Sequence, residues 1–453
     1  MTVDPSLQSR AYAGGLRRLQ GERLRLADGF STGPGWGARL RFALTQRLLG
    51  VGGGAASSIR AWIRRVRWAQ LRREHGVAGA LWWLAREPWW IVQDTFRVVA
   101  RHGTPCAEHF GVPVATQLRQ LLWLRLARGL HWDTYYQNQL WRPERRRHAD
   151  RYLQNHESMV LTRILALRGA QEDYLLLEDK RRTERWCRDH GIPTARTVLE
   201  LIDGAVVATP GGGDPAAAIA AARGTDLFSK PIDLTGGQGT IRWRWHDGAW
   251  LDDACVPHDA AALLARLARD SRGDARLLQR ALGNHPTLAA ISNGALCTAR
   301  VVTARAPGGR PELTAAAFRT GIGGSSTDNL HRGGIAVQVD RLTGRLGTAV
   351  QVHPDLHVLE YARHPDTGTA FAGFELPFWD AVRALVVRAH ALLPAIAVVG
   401  WDVAFTPDGP VIVEGNFAPE PRLTQAPGGD PLGLTAHVRH LDAQLRRCYE
   451  RQG

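Results

Sequence analysis

Residues 398 to 416 read VVGWDVAFTPDGPVIVEGN. Two apolar runs flank a turn at Pro407, Asp408 and Gly409, which is the composition of a β-hairpin. Centring the turn on Asp408 sets Asp402 directly opposite Glu414, and Asn416 shares the face of Glu414. Carboxylates placed directly opposite each other repel. The pairing is expected where a divalent cation lies between them. Hard oxygen ligands of this kind suit Mg2+, which is usually held by one or two carboxylates together with substrate phosphates. The bland alternative is a solvated hairpin face with coincidental acids. Strongly apolar neighbours and an asparagine in a strand speak against it.

Outward from the hairpin, cation usage gives the next signal. The chain holds two lysines, Lys180 and Lys230, against 55 arginines. A GC-rich genome explains the bias but leaves the two survivors informative. A site shaped around a compact ammonium does not readily accept a planar guanidinium, and a phosphate-binding lysine is such a site. Lys230 lies in LFSKPIDLTGGQGT (227–240), where a strand ends at the lysine and a glycine-rich turn follows. Glycines let backbone N–H groups approach phosphate oxygens closely. The lysine precedes the glycines, so this is not the Walker arrangement.

From residue 175 on, short β-branched runs alternate with Ala/Leu/Arg helices. A helix is expected within Tyr174–His190, one strand over Thr197–Val207, further strands at Leu227–Pro231, Ile241–His246 and Ala275–Ala281, and a helix over Pro377–Leu393. This is an α+β layout with largely antiparallel sheets. The first 150 residues differ in texture. They carry 24 arginines, no lysine and ten acids, a net of +14 that equals the excess of the whole chain. Ten of the sixteen tryptophans precede Glu144, and apolar residues recur at helical spacing from Ala56 to about Leu167. Such helices are expected either to pack on the catalytic unit with snorkelling arginines, to lie in a membrane interface, or, least favoured, to bind nucleic acid. Five scattered cysteines without a CxxC fit reduced thiols in a cytoplasm. No secretory h-region and no run of about 18 uncharged apolar residues is visible. The expected location is therefore cytoplasmic, with contact at the inner membrane face as the variant reading.

In order along the chain stand EDKRRTERWCRDHGIPTARTV (178–198), FSKPIDLTGGQGT (228–240), LLQRAL (277–282), CTARVVT (297–303) and the acidic hairpin. That succession resembles the ATP-grasp superfamily of carboxylate ligases. The closer resemblance is to its sugar-transfer-associated branch, related to α-L-glutamate-ligase-like proteins. It is carried by HPTLAAISNGALCTARVVT (285–303) and TDNLHRGGIAVQVDRLTGRLG (327–347).

The resemblance implies two α+β subdomains clasping ATP, about 175–280 and 281–450. Together they would form a catalytic domain over 156–450, behind an Arg/Trp-rich helical region over 1–155. It implies that Lys180 and Lys230 contact nucleotide phosphates and that Gly236, Gly237, Gln238 and Gly239 cover the triphosphate. Adenine would lie on a hinge strand over Leu277–Leu282, with Gln279, Arg280 and Leu282 beside it. Many relatives carry an acid where this chain has Gln279. Arg300 would neutralise γ-phosphate charge, Asn329 and His331 would lie near the acceptor or phosphate, and Asp402, Glu414 and Asn416 would hold Mg2+. The implied activity is ATP-dependent ligation of a small-molecule carboxylate to an amine or similar acceptor, such as a sugar, through an acyl phosphate, forming a carbon–nitrogen bond, in glycan or amino-sugar modification. A phosphotransferase on the same fold, or a non-catalytic ATP-binding module with a basic arm, are the alternatives.

Overall fold

The computed structural model describes residues 55–168, 171–232, 239–323, 328, 333–352 and 358–450. Gly236, Gly237, Gln238, Asn329 and His331 lie outside these residues, as do residues 1–54. Helices come first: α1 (Ala55–Phe110), α2 (Val114–Arg128), α3 (Trp132–Gln137), α4 (Pro143–Arg146), α5 (Asn155–Arg168), α6 (Gln171–Glu178) and α7 (Lys180–Asp189). α1 is two helices joined at Gly76, whose backbone (φ 68°, ψ −179°) no helix can hold. The single helix expected within Tyr174–His190 is two. Asp179 leaves helical geometry, and its side chain accepts from the N–H groups of Arg181 and Arg182. That capping starts a new helix and makes Lys180 its first residue.

The first sheet contains β1 (Thr197–Ile202), β2 (Ala205–Ala208), β3 (Leu227–Pro231), β4 (Ile241–His246), β5 (Ala249–Leu251), β6 (Pro257–His258) and β7 (Ala275–Arg280). Its order is β2-β1-β7-β3-β4-β5-β6, and every pairing is antiparallel. The one strand expected over Thr197–Val207 folds back on itself. Asp203 and Gly204 both take positive φ (49° and 81°), the geometry of a two-residue hairpin turn. Helices α8 (Pro215–Ala220) and α9 (Ala260–Asp270) cover this sheet. Ile219, Leu263 and Leu267 bury against Leu199, Leu201 and Leu278. The i, i+4 spacing of Leu263 and Leu267 supplies the buried stripe of α9.

The second sheet contains β8 (Thr298–Ala304), β9 (Glu312–Thr320), β10 (Ile335–Val339), β11 (Leu346–Val352), β12 (Val358–Tyr361), β13 (Val398–Thr406) and β14 (Gly409–Asn416). Its order is β12-β11-β10-β9-β8-β13-β14. Helices α10 (Trp379–Ala391), α11 (Pro421–Gln425) and α12 (Ala436–Glu450) complete the chain. Successive residues of a strand serve opposite faces. Val301 and Trp401 join a core with Val382 and Val386 of α10. Val302 and Val398 join another with Leu441 and Leu445 of α12. That second core also takes Ile59, Trp62 and Ile63 from the start of α1. Each such buried side chain contributes roughly 1.5–3 kcal/mol, so α1 is bound into the far face of the second sheet. Arg60 adds a buried ion pair to Glu157 of α5, Nε to Oε1 3.2 Å.

The segment between α7 and β1 ties the two sheets together. Ile412 of β14 donates its N–H to the Pro193 carbonyl at 2.9 Å. The Thr194 hydroxyl returns a bond to the Ile412 carbonyl at 3.0 Å.

Candidate active site

The hairpin places Asp402 opposite Glu414 and Gly400 opposite Asn416. The route to that register differs from a uniform ladder centred on Asp408. The turn is two residues long, Pro407 and Asp408, with Thr406 facing Gly409. An irregularity between Asp402 and Val403 then leaves Val413 unpaired and shifts the partners by one. A bulge re-aims a side chain at the end of a ladder, and here it brings the two carboxylates face to face.

Asp402 is buried and its carboxylate is gripped by arginine. Arg300 of β8, its direct partner across the sheet, donates Nε to Oδ1 at 2.5 Å and Nη2 to Oδ2 at 3.2 Å. Arg319 of β9 approaches Oδ2 through Nη2 at 2.9 Å. Burial pushes the Asp402 carboxyl up, but the two guanidinium groups outweigh it and hold it well below the usual carboxylate range. Arg319 reaches a second acid, with Nε 3.5 Å from Oδ2 of Asp328. The Thr298 hydroxyl lies between them, accepting from Arg319 Nε at 3.0 Å and donating to Asp328 at 2.5 Å. Burial holds the Asp328 carboxyl above its ordinary value, with Arg319 and Thr298 opposing. Burial lowers the Arg319 guanidinium, and Asp328, Asp402 and Glu414 more than reverse this.

Lys230 comes from the other sheet. It pairs with Leu277 of β7, one residue before β3 ends, and its side chain is buried. Burial, and after it the Lys180 charge, lower its ammonium while Glu414 and Glu184 oppose, and the net result is about 8. The two lysines and Glu414 are therefore electrostatic neighbours although they come from α7, β3 and β14. Lys180 Nζ donates to the Pro231 carbonyl at 3.4 Å. Gly239, at the described end of the glycine-rich turn, takes φ 67°. Its carbonyl accepts from Arg276 Nη1 at 2.9 Å.

Strand β7 ends at Arg280, so Leu282 lies two residues beyond the strand expected to include it. The N–H groups of Arg280 and Ala281 are engaged with the carbonyls of Arg196 and Asp226, which closes the strand pairing there. Gln279 is buried, and its Nε2 donates to the Thr197 hydroxyl at 3.1 Å. That hydroxyl in turn donates to Glu184. An acid thus stands behind Gln279, contributed by α7 instead of β7. Arg280 turns its Nη2 to the Ala221 carbonyl at 3.1 Å.

The structure thus joins Arg300 to Asp402 by direct contact and sets Glu414 opposite Asp402, while Lys180 and Lys230 stand together at the end of β3. Asn416 donates to Glu414, Nδ2 to Oε1 3.2 Å. Gln279 lies beside Glu184, while Arg280 and Leu282 are not drawn in. Arg319, Asp328, Thr298 and Glu184 were not singled out from the sequence. Parity along β9 is the signal that finds Arg319. Arg300 faces Ala317, so Arg319, two residues on, shares its face.

The fold and this constellation define a two-sheet α+β unit with phosphate-suited cations facing paired carboxylates. The profile of the family described as sugar-transfer associated ATP-grasp matches residues 166–442. The chain belongs to that family. No curated protein matches the sequence. Among solved structures, the D-alanine–D-alanine ligase of Bacillus anthracis is similar at 13% identity, with 66% of this chain and 79% of that one covered and a TM-score of 0.35. The biotin carboxylase domain of Hydrogenobacter thermophilus 2-oxoglutarate carboxylase, in complex with MgADP, ADP and bicarbonate, is similar at 14% identity, covering 59% and 45% with a TM-score of 0.34. An L-amino acid ligase from Bacillus licheniformis is similar at 11% identity, covering 59% and 48% with a TM-score of 0.33.

Proposed function

We propose that this chain is an ATP- and Mg2+-dependent ligase that joins a carboxylate to an amine or sugar acceptor, in glycan or amino-sugar modification. The observation that carries the reading is the facing pair Asp402 and Glu414 on the hairpin of the second sheet, together with Lys180 bonded to the Pro231 carbonyl next to Lys230 on the first. A triphosphate lying between the sheets would meet ammonium groups on one side and metal-suited oxygens on the other.

The donor chemistry fits magnesium. Glu414 and Asn416 present oxygen ligands on one face, and Asp402 adds a third once a guanidinium releases it. Bound there, Mg2+ would supply charge neutralisation for phosphoryl transfer. Lys230 and Lys180 would hold the nucleotide phosphates as point charges. Arg300 and Arg319 hold Asp402 ionised. In the first step a substrate carboxylate oxygen attacks the γ-phosphorus and ADP leaves. In the second the acceptor attacks the acyl carbon, phosphate leaves with the bonding electrons, and the acceptor's proton passes to solvent. The chain's task is positioning and charge stabilisation.

The test is phosphate and ADP release by the purified chain with ATP and Mg2+, against amino acids, uronic acids and amino sugars, beside Glu414→Gln. Release of phosphate that needs both a carboxylate and an acceptor, and that disappears in the variant, supports the ligase. ADP formed with a phosphorylated product and no free phosphate would replace it with a phosphotransferase. Absence of ATP binding would reject the site itself.

A further inference from the structure

We propose that the second half of α1 is a docking surface for an anionic lipid bilayer. After the break at Gly76 the helix runs on to Phe110, and among the described residues nothing covers its outer side. Trp82, Trp89 and Phe96 are 51%, 59% and 54% exposed. Their spacing of seven residues is close to two helical turns, so they fall in one line about 21 Å long. Leu81 and Val77 extend the exposed apolar area at its start. A soluble surface tolerates scattered apolar residues, but three large aromatics in one line mark an interaction site.

Charge selects the occupant. Among the described residues from 58 to 128, seven arginines are exposed against two exposed acids, Glu74 and Glu108. Arg86 is built into the stripe, with its guanidinium carbon 4.6 Å from the centre of the Trp82 ring and 5.9 Å from that of Trp90. Arg97 and Arg101 follow on the exposed side of the same helix. A bilayer interface wants amphipathic aromatic rings at headgroup depth and cations against lipid phosphates. Nucleic acid would use the arginines, but it has no use for Val77 and Leu81. No described helix is long and apolar enough to cross a membrane, so the contact lies in the plane of the surface.

The test is co-sedimentation of the full chain with phosphatidylcholine vesicles and with vesicles that also contain phosphatidylglycerol. The expected result is preferential binding to the anionic vesicles that weakens with salt. The triple variant Trp82→Gln/Trp89→Gln/Phe96→Gln should lower the partition coefficient at least about tenfold. The double variant Arg97→Glu/Arg101→Glu should remove the anionic preference. Each variant is checked for an unchanged thermal midpoint, and the single Trp89→Gln replaces any that fails. Equal binding of wild type and variants, or no preference for phosphatidylglycerol, overturns the proposal. So does retention of a nucleic-acid duplex, or of a second copy of the chain, that the same variants abolish while vesicles do not bind.

Discussion

Arg319 Nη2 lies 2.9 Å from the Asp402 carboxylate that Arg300 grips from the neighbouring strand at 2.5 Å. One buried anion thus stands between two buried cations, and beside the second cation stands Asp328. Removing the anion leaves the largely buried Arg300 guanidinium without its carboxylate, while Arg319 keeps only the Asp328 carboxylate. Breaking a buried ion pair by deleting one partner costs about 3–5 kcal/mol. Asp402→Asn should therefore lower the thermal midpoint substantially as well as abolish phosphate release. Adding Arg319→Gln to Asp402→Asn should recover part of the midpoint and none of the activity. Since Asp402 titrates below the ordinary carboxylate range when folded, its contribution is present above about pH 4 and is lost only as pH falls through its own lower value.

Lys230 titrates in the opposite sense to a salt-bridged lysine. Its folded value is lowered to about 8, whereas an unfolded lysine titrates near 10.4. Below about pH 8 both states carry the proton, and the folded chain bears a desolvated charge costing roughly 3 kcal/mol. Between about 8 and 10 the unfolded chain binds more protons, so stability rises with pH. The difference in thermal midpoint between Lys230→Met and wild type should shrink over that interval. Nucleotide phosphate beside the lysine would restore its proton. ATP binding at a pH above about 8 should then take up a proton, read by calorimetry in buffers of different ionisation enthalpy. The uptake should vanish in Lys230→Met.

Two glycines of the acidic hairpin separate packing from function. A Cβ on Gly415 would sit 2.8 Å from Cδ2 of Leu177 and 3.1 Å from the Trp401 ring. A Cβ on Gly400 would sit 2.6 Å from Cβ of Pro419 and 3.1 Å from Cδ of Arg300. Both alanine variants are overpacked and should lose about 1–3 kcal/mol. Only Gly400→Ala pushes on the side chain that holds Asp402. It should reduce kcat/KM several-fold more than Gly415→Ala at comparable loss of thermal midpoint.

The acidic hairpin was legible because turn residues lie between two apolar runs, but the facing of Asp402 and Glu414 also depends on a bulge after Asp402 that the sequence does not show. The two lysines were legible because arginine fills the other 55 basic positions, not counting histidine. The same abundance hid Arg319. An arginine on a strand carries no signal among so many, and its meaning depends on β8 and β9 lying side by side. Asp328 is one acid among many and carries less signal in the sequence than its neighbours Asn329 and His331. Glu184 sits on a helix face, and its approach to Gln279 through Thr197 is a tertiary fact with no local trace. The hairpin at Asp203 and Gly204 was readable from its Asp-Gly pair, but continuous apolar residues on either side gave the appearance of one strand.

The placement of α1 yields the last prediction. Trp62 is buried in the core that contains Val302, Val398 and Leu441. Its Nε1 donates to Asp442 of α12 at 2.9 Å, and its ring stacks on Tyr449 at 4.8 Å. Truncating a buried tryptophan costs about 3–5 kcal/mol, because a cavity remains where the ring was. Were the N-terminal helices a detachable arm, Trp62→Ala would leave the catalytic sheet untouched. Built into its far face, Trp62 should instead set the stability of the sheet that carries Asp402 and Glu414. Trp62→Ala should lower the midpoint of the whole unit, and hydrogen exchange in β8 and β13 should accelerate with it. A chain beginning at residue 66 would lack Ile59, Trp62 and Ile63 together and should fail to give soluble protein. Exchange in β8 and β13 unchanged by Trp62→Ala would show that α1 is an appendage after all.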